Sequence, residues 1–315
     1  MPSSSKAEFM HTPAPVRHLC IEVEGLSIFY REAGPRDAPV LLLLHGYPSS
    51  SHYFRRLMPL LAERYRLIAP DLPGFGASDA PGHESWTYSF EHLTEVLEDF
   101  VAKLGLVHYA LYLFDYGAPV GMRLALAHPE RITAIISQNG NIYREGLGAG
   151  WKLWEQYWQA PAAENRAAMR ALLSPARLKQ LYLTGARDPA LVAPEAYLLH
   201  DALLARPGND EIQLDLFLDY RHNVESYPAF QSYLRTHQPP LLAVWGRHDP
   251  VFLPAGAEAF RRDLPEAEVH FLEAGHFALE TEAEAVAVLI CVFLGQALSV
   301  RARSPLLGSD TTRAA

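Results

Sequence analysis

Short apolar runs alternate with stretches of helical periodicity over much of the chain. The runs 40–44, 134–138 and 241–245 each end at a turn signal that contains glycine. Runs this short, with no polar alternation, predict strands that are buried on both faces. Three candidate helices lie among these runs, at 51–63, 90–104 and 118–128. This alternation predicts an α/β fold with a mostly parallel sheet.

The two ends of the chain are polar. Residues 1–16 are rich in Ser and Pro and residues 299–315 contain Arg and Thr, so we expect both to be flexible tails. Just inside the first tail, two alternating runs within 17–32 are separated by Gly25. This pattern predicts an antiparallel hairpin at the edge of the sheet.

The strand rhythm stops in the middle of the chain. Residues 142–236 are rich in Ala, Leu, Trp and Tyr at helical spacing and contain no convincing strand pattern. A segment this long and this apolar predicts an inserted helical subdomain, here called the cap. The core of the fold is then expected to comprise 17–141 and 237–298, with a last helix over 282–298.

Asp115 follows an apolar and aromatic run and precedes small residues that lead into a helical pattern. A strand, a sharp turn and a helix form the context of the G-x-S-x-G nucleophile, here with Asp at the centre. An Asp before Tyr116 and Gly117 is by itself more often a turn former. Its partners therefore decide its role.

Three further strand ends carry residues with matching chemistry. His45 and Gly46 follow the run 40–44, Asp249 follows the run at 241, and His276 follows an apolar run that begins at Val269. Each single residue has an ordinary structural explanation. Together they give the order nucleophile, acid, histidine, with each member at the end of a strand.

With these residues in this order, the chain resembles the α/β-hydrolases of the aspartate-nucleophile branch, which contains the epoxide hydrolases and haloalkane dehalogenases. The resemblance runs from about Arg17 to Gly295. It implies an eight-stranded, mostly parallel sheet flanked by helices, with an inserted helical cap. It also implies that Asp115 is the nucleophile, His276 the general base and Asp249 the acid that orients the histidine.

A carboxylate nucleophile is suited to displacement at saturated carbon, which would give an alkyl ester on Asp115 that water then hydrolyses. The resemblance places the backbone N–H groups of Tyr47 and Tyr116 in the oxyanion hole of that second step. Haloalkane dehalogenases usually hold the halide with side-chain N–H donors at these two positions. Tyrosines there favour epoxide hydrolysis to a vicinal diol.

Epoxide hydrolases protonate the ring oxygen with tyrosines of the cap. Tyr220 resembles the second of these tyrosines, and Trp154 stands where the first is expected. Tyr157, one helical turn along, is the other candidate for that position. Leu113, two residues before Asp115, is more familiar in dehalogenases. Haloalkane dehalogenation therefore remains the alternative, and a non-catalytic ligand-binding hydrolase fold is a third hypothesis.

The remaining candidates concern the substrate pocket. Its predicted residues are His45, Asn139, Trp154 and Tyr157. Asn139 stands where some dehalogenases carry the catalytic acid, and since it is neutral we assign that role to Asp249. The aromatic cap indicates a small apolar or aromatic substrate.

Composition limits the other classes of partner. The chain has 315 residues, 49% of them hydrophobic, and a formal charge of −9, which argues against nucleic acid or an anionic membrane as partner. We expect no transmembrane helix and, without a leader sequence, a cytoplasmic protein. The fourteen histidines do not cluster at ligand spacing, so no metal or other cofactor is implied. The sequence leaves the oligomeric state open.

Overall fold

The computed structural model describes residues 14–303, which contain one eight-stranded sheet. The order across the sheet is β1-β2-β4-β3-β5-β6-β7-β8. The strands are β1 (Arg17–Val23), β2 (Leu26–Ala33), β3 (Val40–Leu44), β4 (Arg66–Pro70), β5 (Tyr109–Phe114), β6 (Ile132–Gln138), β7 (Leu241–Gly246) and β8 (Glu268–Leu272).

The pairing confirms the predicted mostly parallel sheet. β1 and β2 form the expected antiparallel hairpin, with Arg17 opposite Glu32 and Val23 opposite Leu26. β2 is also antiparallel to β4, and all pairs from β4 onward across the sheet are parallel. Since parallel strands share one direction, the carboxyl ends of β3, β5, β6, β7 and β8 meet at one edge.

Helices cover both faces of the sheet. They are α1 (Leu57–Leu61), α2 (Phe90–Lys103), α3 (Gly117–Ala127), α4 (Lys152–Gln159), α5 (Ala163–Arg170), α6 (Pro175–Leu183), α7 (Pro194–Leu204), α8 (Asn209–His237), α9 (Pro254–Asp263) and α10 (Leu279–Arg303). Leu42 and Leu44 of β3 face the apolar layer of α2, α3 and α8. Leu41 and Leu43 face the layer of α1 and α10. This alternation buries β3 on both sides, as its apolar run predicts.

Two of the three helices predicted in the first half agree with α2 and α3 to within about one residue at each end. The third prediction, a single helix over 51–63, is wrong. The chain forms a 3₁₀ helix at Ser51–Arg55 and then the separate helix α1. Pro59 explains the break, because a proline lacks the N–H that a helix interior needs and fits the first turn of a new helix.

The segment expected to form the cap lies between β6 and β7. It contains the five α-helices α4 to α8 and no strand. The last of them, α8, reaches His237, so the helical segment ends one residue beyond the expected boundary at 236. β7 then resumes the sheet at Leu241.

The last helix is longer than predicted. α10 begins at Leu279, has a non-helical residue at Glu282 and reaches Arg303. Residues 299–303 are therefore helical and not a tail, since Ala and Arg are good helix formers that continue α10. Residues 1–13 and 304–315 of the two expected tails lie outside the described residues.

The stretch Leu279–Ser299 of α10 is long and apolar enough to cross a membrane, by length and composition alone. The sequence analysis expected no such segment. Its packing is that of a core helix on one face, because Ile290, Phe293 and Leu294 are buried in the apolar layer with α1. Val288 and Val292 lie on the exposed face.

Candidate active site

Asp115 occupies the turn between β5 and α3. Its φ of 50° lies in the left-handed region, which is uncommon for residues other than glycine and costs about 1–3 kcal/mol. The loop after β3 crosses close to it: a Cβ at Gly46 would lie 2.2 Å from Asp115 Oδ1. Only glycine fits that approach, so β3 and β5 together place the carboxylate at the carboxyl edge of the sheet.

The Asp115 carboxylate is buried and has backbone partners. The N–H of Tyr47 donates to Oδ1 at 2.7 Å. Burial raises the pKa of Asp115 to about 6, against the opposing effects of His276 and of the backbone N–H groups of Tyr116 and Tyr47. Both backbone donors predicted for the oxyanion hole therefore act on this carboxylate.

His276 links Asp115 to Asp249. Its Nδ1 lies 2.9 Å from Asp249 Oδ2, and its Nε2 lies 3.6 Å from Asp115 Oδ2. A proton on Nδ1 shared with Asp249 leaves the Nε2 lone pair facing Asp115. Burial lowers the pKa of His276, but the charge and hydrogen bond of Asp249 outweigh burial and raise it above its usual value.

Asn139 holds Asp249 and does not line the substrate cavity. Its Nδ2 donates to Asp249 Oδ2 at 2.6 Å, and its Oδ1 accepts from the N–H of Gly246 at 3.2 Å. The N–H of Val251 donates to the other carboxylate oxygen at 2.7 Å. The pocket assignment of Asn139 is thus corrected: at the end of β6, this neutral side chain is a hydrogen-bond partner of the acid.

A cavity of about 140 Å³ lies between Asp115 and the cap. An apolar cavity of about 150 Å³ takes up one benzene molecule, so this cavity suits a substrate of similar size. Its lining comprises Tyr47, Asp115, Tyr116, Gly150, Trp151, Trp154, Leu172, Arg177, Leu178, Leu181, Phe217, Tyr220, Pro250, Val251 and His276. The predicted nucleophile, base and cap tyrosine thus line one apolar space.

Aromatic rings fix the position of Tyr220 in α8. Its ring centroid lies 4.9 Å from that of Trp151, 5.5 Å from Phe90 and 6.2 Å from Trp158, with the Trp158 ring nearly parallel. Its hydroxyl lies 3.4 Å from that of Tyr227. Burial raises the pKa of Tyr220 well above its usual value, so the phenol keeps its proton at neutral pH.

The comparisons with known proteins agree with this geometry. A family model described as the alpha/beta hydrolase fold matches residues 39–283. The chain belongs to the alpha/beta-hydrolase family. It is 44% identical over 268 residues to an uncharacterized hydrolase of Saccharomyces cerevisiae, an alignment that covers 84% of this chain and 92% of that protein.

Other relatives of this hydrolase carry functional names, and two of them bear on the alternatives above. A haloalkane dehalogenase of Psychrobacter cryohalolentis is 28% identical, over 87% of this chain and 89% of the relative. Epoxide hydrolase 2 of Caenorhabditis elegans is 25% identical, over 89% of this chain and 80% of the relative. The relatives thus include both activities that the sequence leaves open.

Two further pocket predictions for the hydrolase need correction. His45 is buried beneath the site, where its Nε2 accepts from the N–H of Leu72 at 3.0 Å. Tyr157 turns away from the cavity: its hydroxyl accepts from Arg166 at 2.9 Å and lies 3.4 Å from the carbonyl of Leu214. Of the two candidates for the first cap position, Trp154 alone lines the cavity.

Several lining residues of the hydrolase were missed from the sequence. Trp151 lies three residues before Trp154 and Phe217 three before Tyr220, which is the spacing of one helix face. That spacing could have added both residues to the predicted pocket. Leu178 and Leu181 of α6 carry no comparable signal, because nothing local tells which helix face meets the cavity.

The side chains that line the cavity include groups suited to act as a nucleophile, a base and an acid. Asp115 supplies a carboxylate, His276 a base and Tyr220 a phenol. Within residues 14–303, no group of three or more His, Cys, Asp and Glu side chains is placed to hold a metal ion.

Proposed function

We propose that this hydrolase converts an epoxide to a vicinal diol through an alkyl ester on Asp115. The observation that carries the proposal is that a carboxylate and a phenol, Asp115 and Tyr220, line the same small apolar cavity. Opening an epoxide needs a nucleophile at carbon and a proton for the departing oxygen. These two side chains supply them.

In the first step, Asp115 attacks a ring carbon. Oδ1 is held by the N–H of Tyr47, so Oδ2 is the oxygen that forms the new carbon–oxygen bond. The carbon–oxygen bond of the ring breaks, and the ring oxygen takes the proton of Tyr220. The products are an ester on Asp115, a neutral alcohol and the phenolate of Tyr220.

In the second step, water attacks the carbonyl carbon of the ester. His276 Nε2 takes a proton from this water, and Asp249 stabilises the imidazolium that forms. Negative charge develops on Oδ1, which accepts from the N–H of Tyr47, and the N–H of Tyr116 also acts on this carboxylate. Such a donor contributes about 3 kcal/mol to transition-state stabilisation. Collapse of this intermediate breaks the bond between the carbonyl carbon and the original Oδ2. That oxygen takes the remaining proton of the attacking water and leaves as part of the diol.

Haloalkane dehalogenation is the second candidate function. Trp154 lines the cavity, and its indole N–H makes no hydrogen bond within residues 14–303. Such a donor can bind a departing halide, but it is no useful acid for an alkoxide. The neighbouring indoles of Trp151 and Trp158 already donate to the carbonyls of Val251 and Phe217. A non-catalytic role is disfavoured by the linked Asp115, His276 and Asp249.

Substrate tests with Tyr220→Phe distinguish these functions. The wild-type protein is incubated with styrene oxide and with bromoalkanes, and diol and bromide are both measured. We expect diol formation, and a loss of about 10²- to 10⁴-fold in Tyr220→Phe, because a general acid contributes that much. Any bromide release should change only a few-fold, since a halide leaves without a proton. Bromide release without diol formation, or an equal loss for both substrates, would overturn the proposal.

A further inference from the structure

The hydroxyl of Tyr220 has one hydrogen-bond partner within residues 14–303, the hydroxyl of Tyr227 at 3.4 Å. The two tyrosines are seven residues apart on α8, which places them on one face of the helix. Tyr227 is 1% exposed and does not line the cavity. It lies behind Tyr220, where a substrate does not reach it.

A second contact leaves the proton of Tyr227 available for this hydrogen bond. Asn141 Nδ2 is 3.4 Å from the Tyr227 hydroxyl and 2.8 Å from the carbonyl of Tyr143. An amide N–H can only donate, so Tyr227 accepts from Asn141. The proton of Tyr227 is then free to point at Tyr220, and the proton of Tyr220 is free to point into the cavity.

We propose that Tyr227 is a positioning residue that stabilises the phenolate of Tyr220 while the epoxide ring opens. The inference rests on the proposed function, in which Tyr220 gives its proton to the ring oxygen. A separation of 3.4 Å is long for two neutral hydroxyls, which usually lie about 2.7–2.8 Å apart. A hydroxyl that donates to an anion comes closer, to about 2.5–2.7 Å, and binds about twice as strongly.

This contact therefore strengthens as the proton leaves Tyr220. An interaction that grows toward the transition state increases the rate, whereas one equally strong in the ground state does not. Tyr220 is buried among rings, so little water is available to solvate its phenolate. The hydroxyl of Tyr227 takes the place of that water.

Over one turnover, Tyr220 and His276 both return to their starting protonation states. Ring opening moves a proton from Tyr220 to the ring oxygen and leaves a phenolate. Ester hydrolysis moves a proton from water to His276 and leaves an imidazolium. Return of that proton to Tyr220, through the water in the cavity, restores both groups. Tyr227 keeps its own proton throughout and only donates a hydrogen bond.

The test is the rate of ester formation in Tyr227→Phe, followed by rapid quenching and mass spectrometry of the Asp115 peptide. We expect this rate to fall about 10- to 100-fold, as for the loss of a hydrogen bond to a charged group. Ester hydrolysis and the dissociation constant of the substrate should stay within twofold. The control is Tyr233→Phe, which removes the hydroxyl of another buried tyrosine on the same helix and should leave all three values unchanged.

A double variant shows whether Tyr227 acts through Tyr220. Once Tyr220→Phe is present, adding Tyr227→Phe should change ester formation less than twofold. Full additivity, equal losses in both steps, or no effect of Tyr227→Phe would overturn the inference. If Tyr220→Phe itself leaves ester formation unchanged, the proposed acid fails and not only its partner.

Discussion

At the scale of single residues, Asp115 differs from its neighbour Leu113 in what determines it. Asp115 has an unfavourable φ and a buried carboxylate, which the surrounding backbone donors hold in place. Leu113, unexpected for an epoxide hydrolase, packs on α3, because a Cβ at Gly121 would lie 2.3 Å from its Cδ2. The identity of Leu113 therefore reflects the packing of β5 against α3, and it does not distinguish an epoxide from a haloalkane as substrate.

The pKa values of Asp115 and His276 predict different pH profiles for the two steps. Asp115 attacks only when ionised, so kcat/KM should fall as pH drops through about 6, and not near its usual pKa of about 4. His276 must be neutral for hydrolysis and has a raised pKa, so kcat should begin to fall at a higher pH. The alkyl ester should then accumulate in mildly acidic buffer.

Steady-state rates between about pH 4 and 9, with quenched samples for ester, check this pH prediction. The raised pKa of Asp115 comes from burial, so an exposed nucleophile would behave differently. A kcat/KM that stays constant to about pH 4.5 contradicts the buried environment of Asp115.

At the scale of elements, the proposed catalytic residues lie at the carboxyl ends of parallel strands. Asp115 follows β5, while Asp249 and His276 lie in the loops after β7 and β8. Asn139, directly after β6, holds the first of these loops, through Asp249 Oδ2 and the N–H of Gly246. Each strand end therefore contributes either a reacting group or the hydrogen bond that orients one.

Replacing Asn139 by Ala should slow hydrolysis of the ester by about tenfold or more. The change removes a hydrogen bond to the buried Asp249 carboxylate, which is worth about 1.5–3 kcal/mol, and loosens its hold on His276. Ester formation should change much less, because it does not need the base. Single-turnover rates for both steps measure this, with Asn165→Ala in α5, a partly exposed asparagine, as control. Equal losses in both steps would show that Asn139 only supports the fold.

The elements also show what could be predicted from the sequence. The strand ends were predictable, because each short apolar run and its turn signal are local. The cavity wall was not, because the facing side of a cap helix depends on its packing. Tyr157 and Trp154 are three residues apart in α4, yet Tyr157 binds Arg166 and Trp154 faces the cavity. The break before α1 depended on a single residue, Pro59, within an otherwise helical pattern.

At the scale of the whole molecule, a sheet covered on both faces supports a helical cap, and the cavity lies between them. α10 closes one face and is apolar enough to pass for a membrane span. A core helix and a membrane span differ in which side chains they need, and Ile290 is buried here whereas Val288 is 64% exposed. A core helix depends on its buried side alone.

Substitutions in α10 test that packing. Ile290→Asn should lower the free energy of unfolding by several kcal/mol, because it places an unsatisfied amide in the core. Val288→Asn and Val292→Asn should each change it by about 0.5 kcal/mol or less, since both side chains are exposed. Urea unfolding measures all three. Protein that moves from membranes to the soluble fraction when Val288 or Val292 is changed would contradict a core helix.

The covalent ester on Asp115 is the central claim, and a single turnover in heavy-oxygen water tests it most directly. With enzyme in excess over an epoxide, water attacks the ester carbonyl, so one heavy oxygen should remain in the Asp115 carboxylate and the diol should carry none. Mass spectrometry of the peptide that contains Asp115 measures this label, and His276→Ala, which lacks the base for hydrolysis, should retain the unlabelled ester. A labelled diol with an unlabelled Asp115 would show that water attacks the epoxide directly, and would contradict the account.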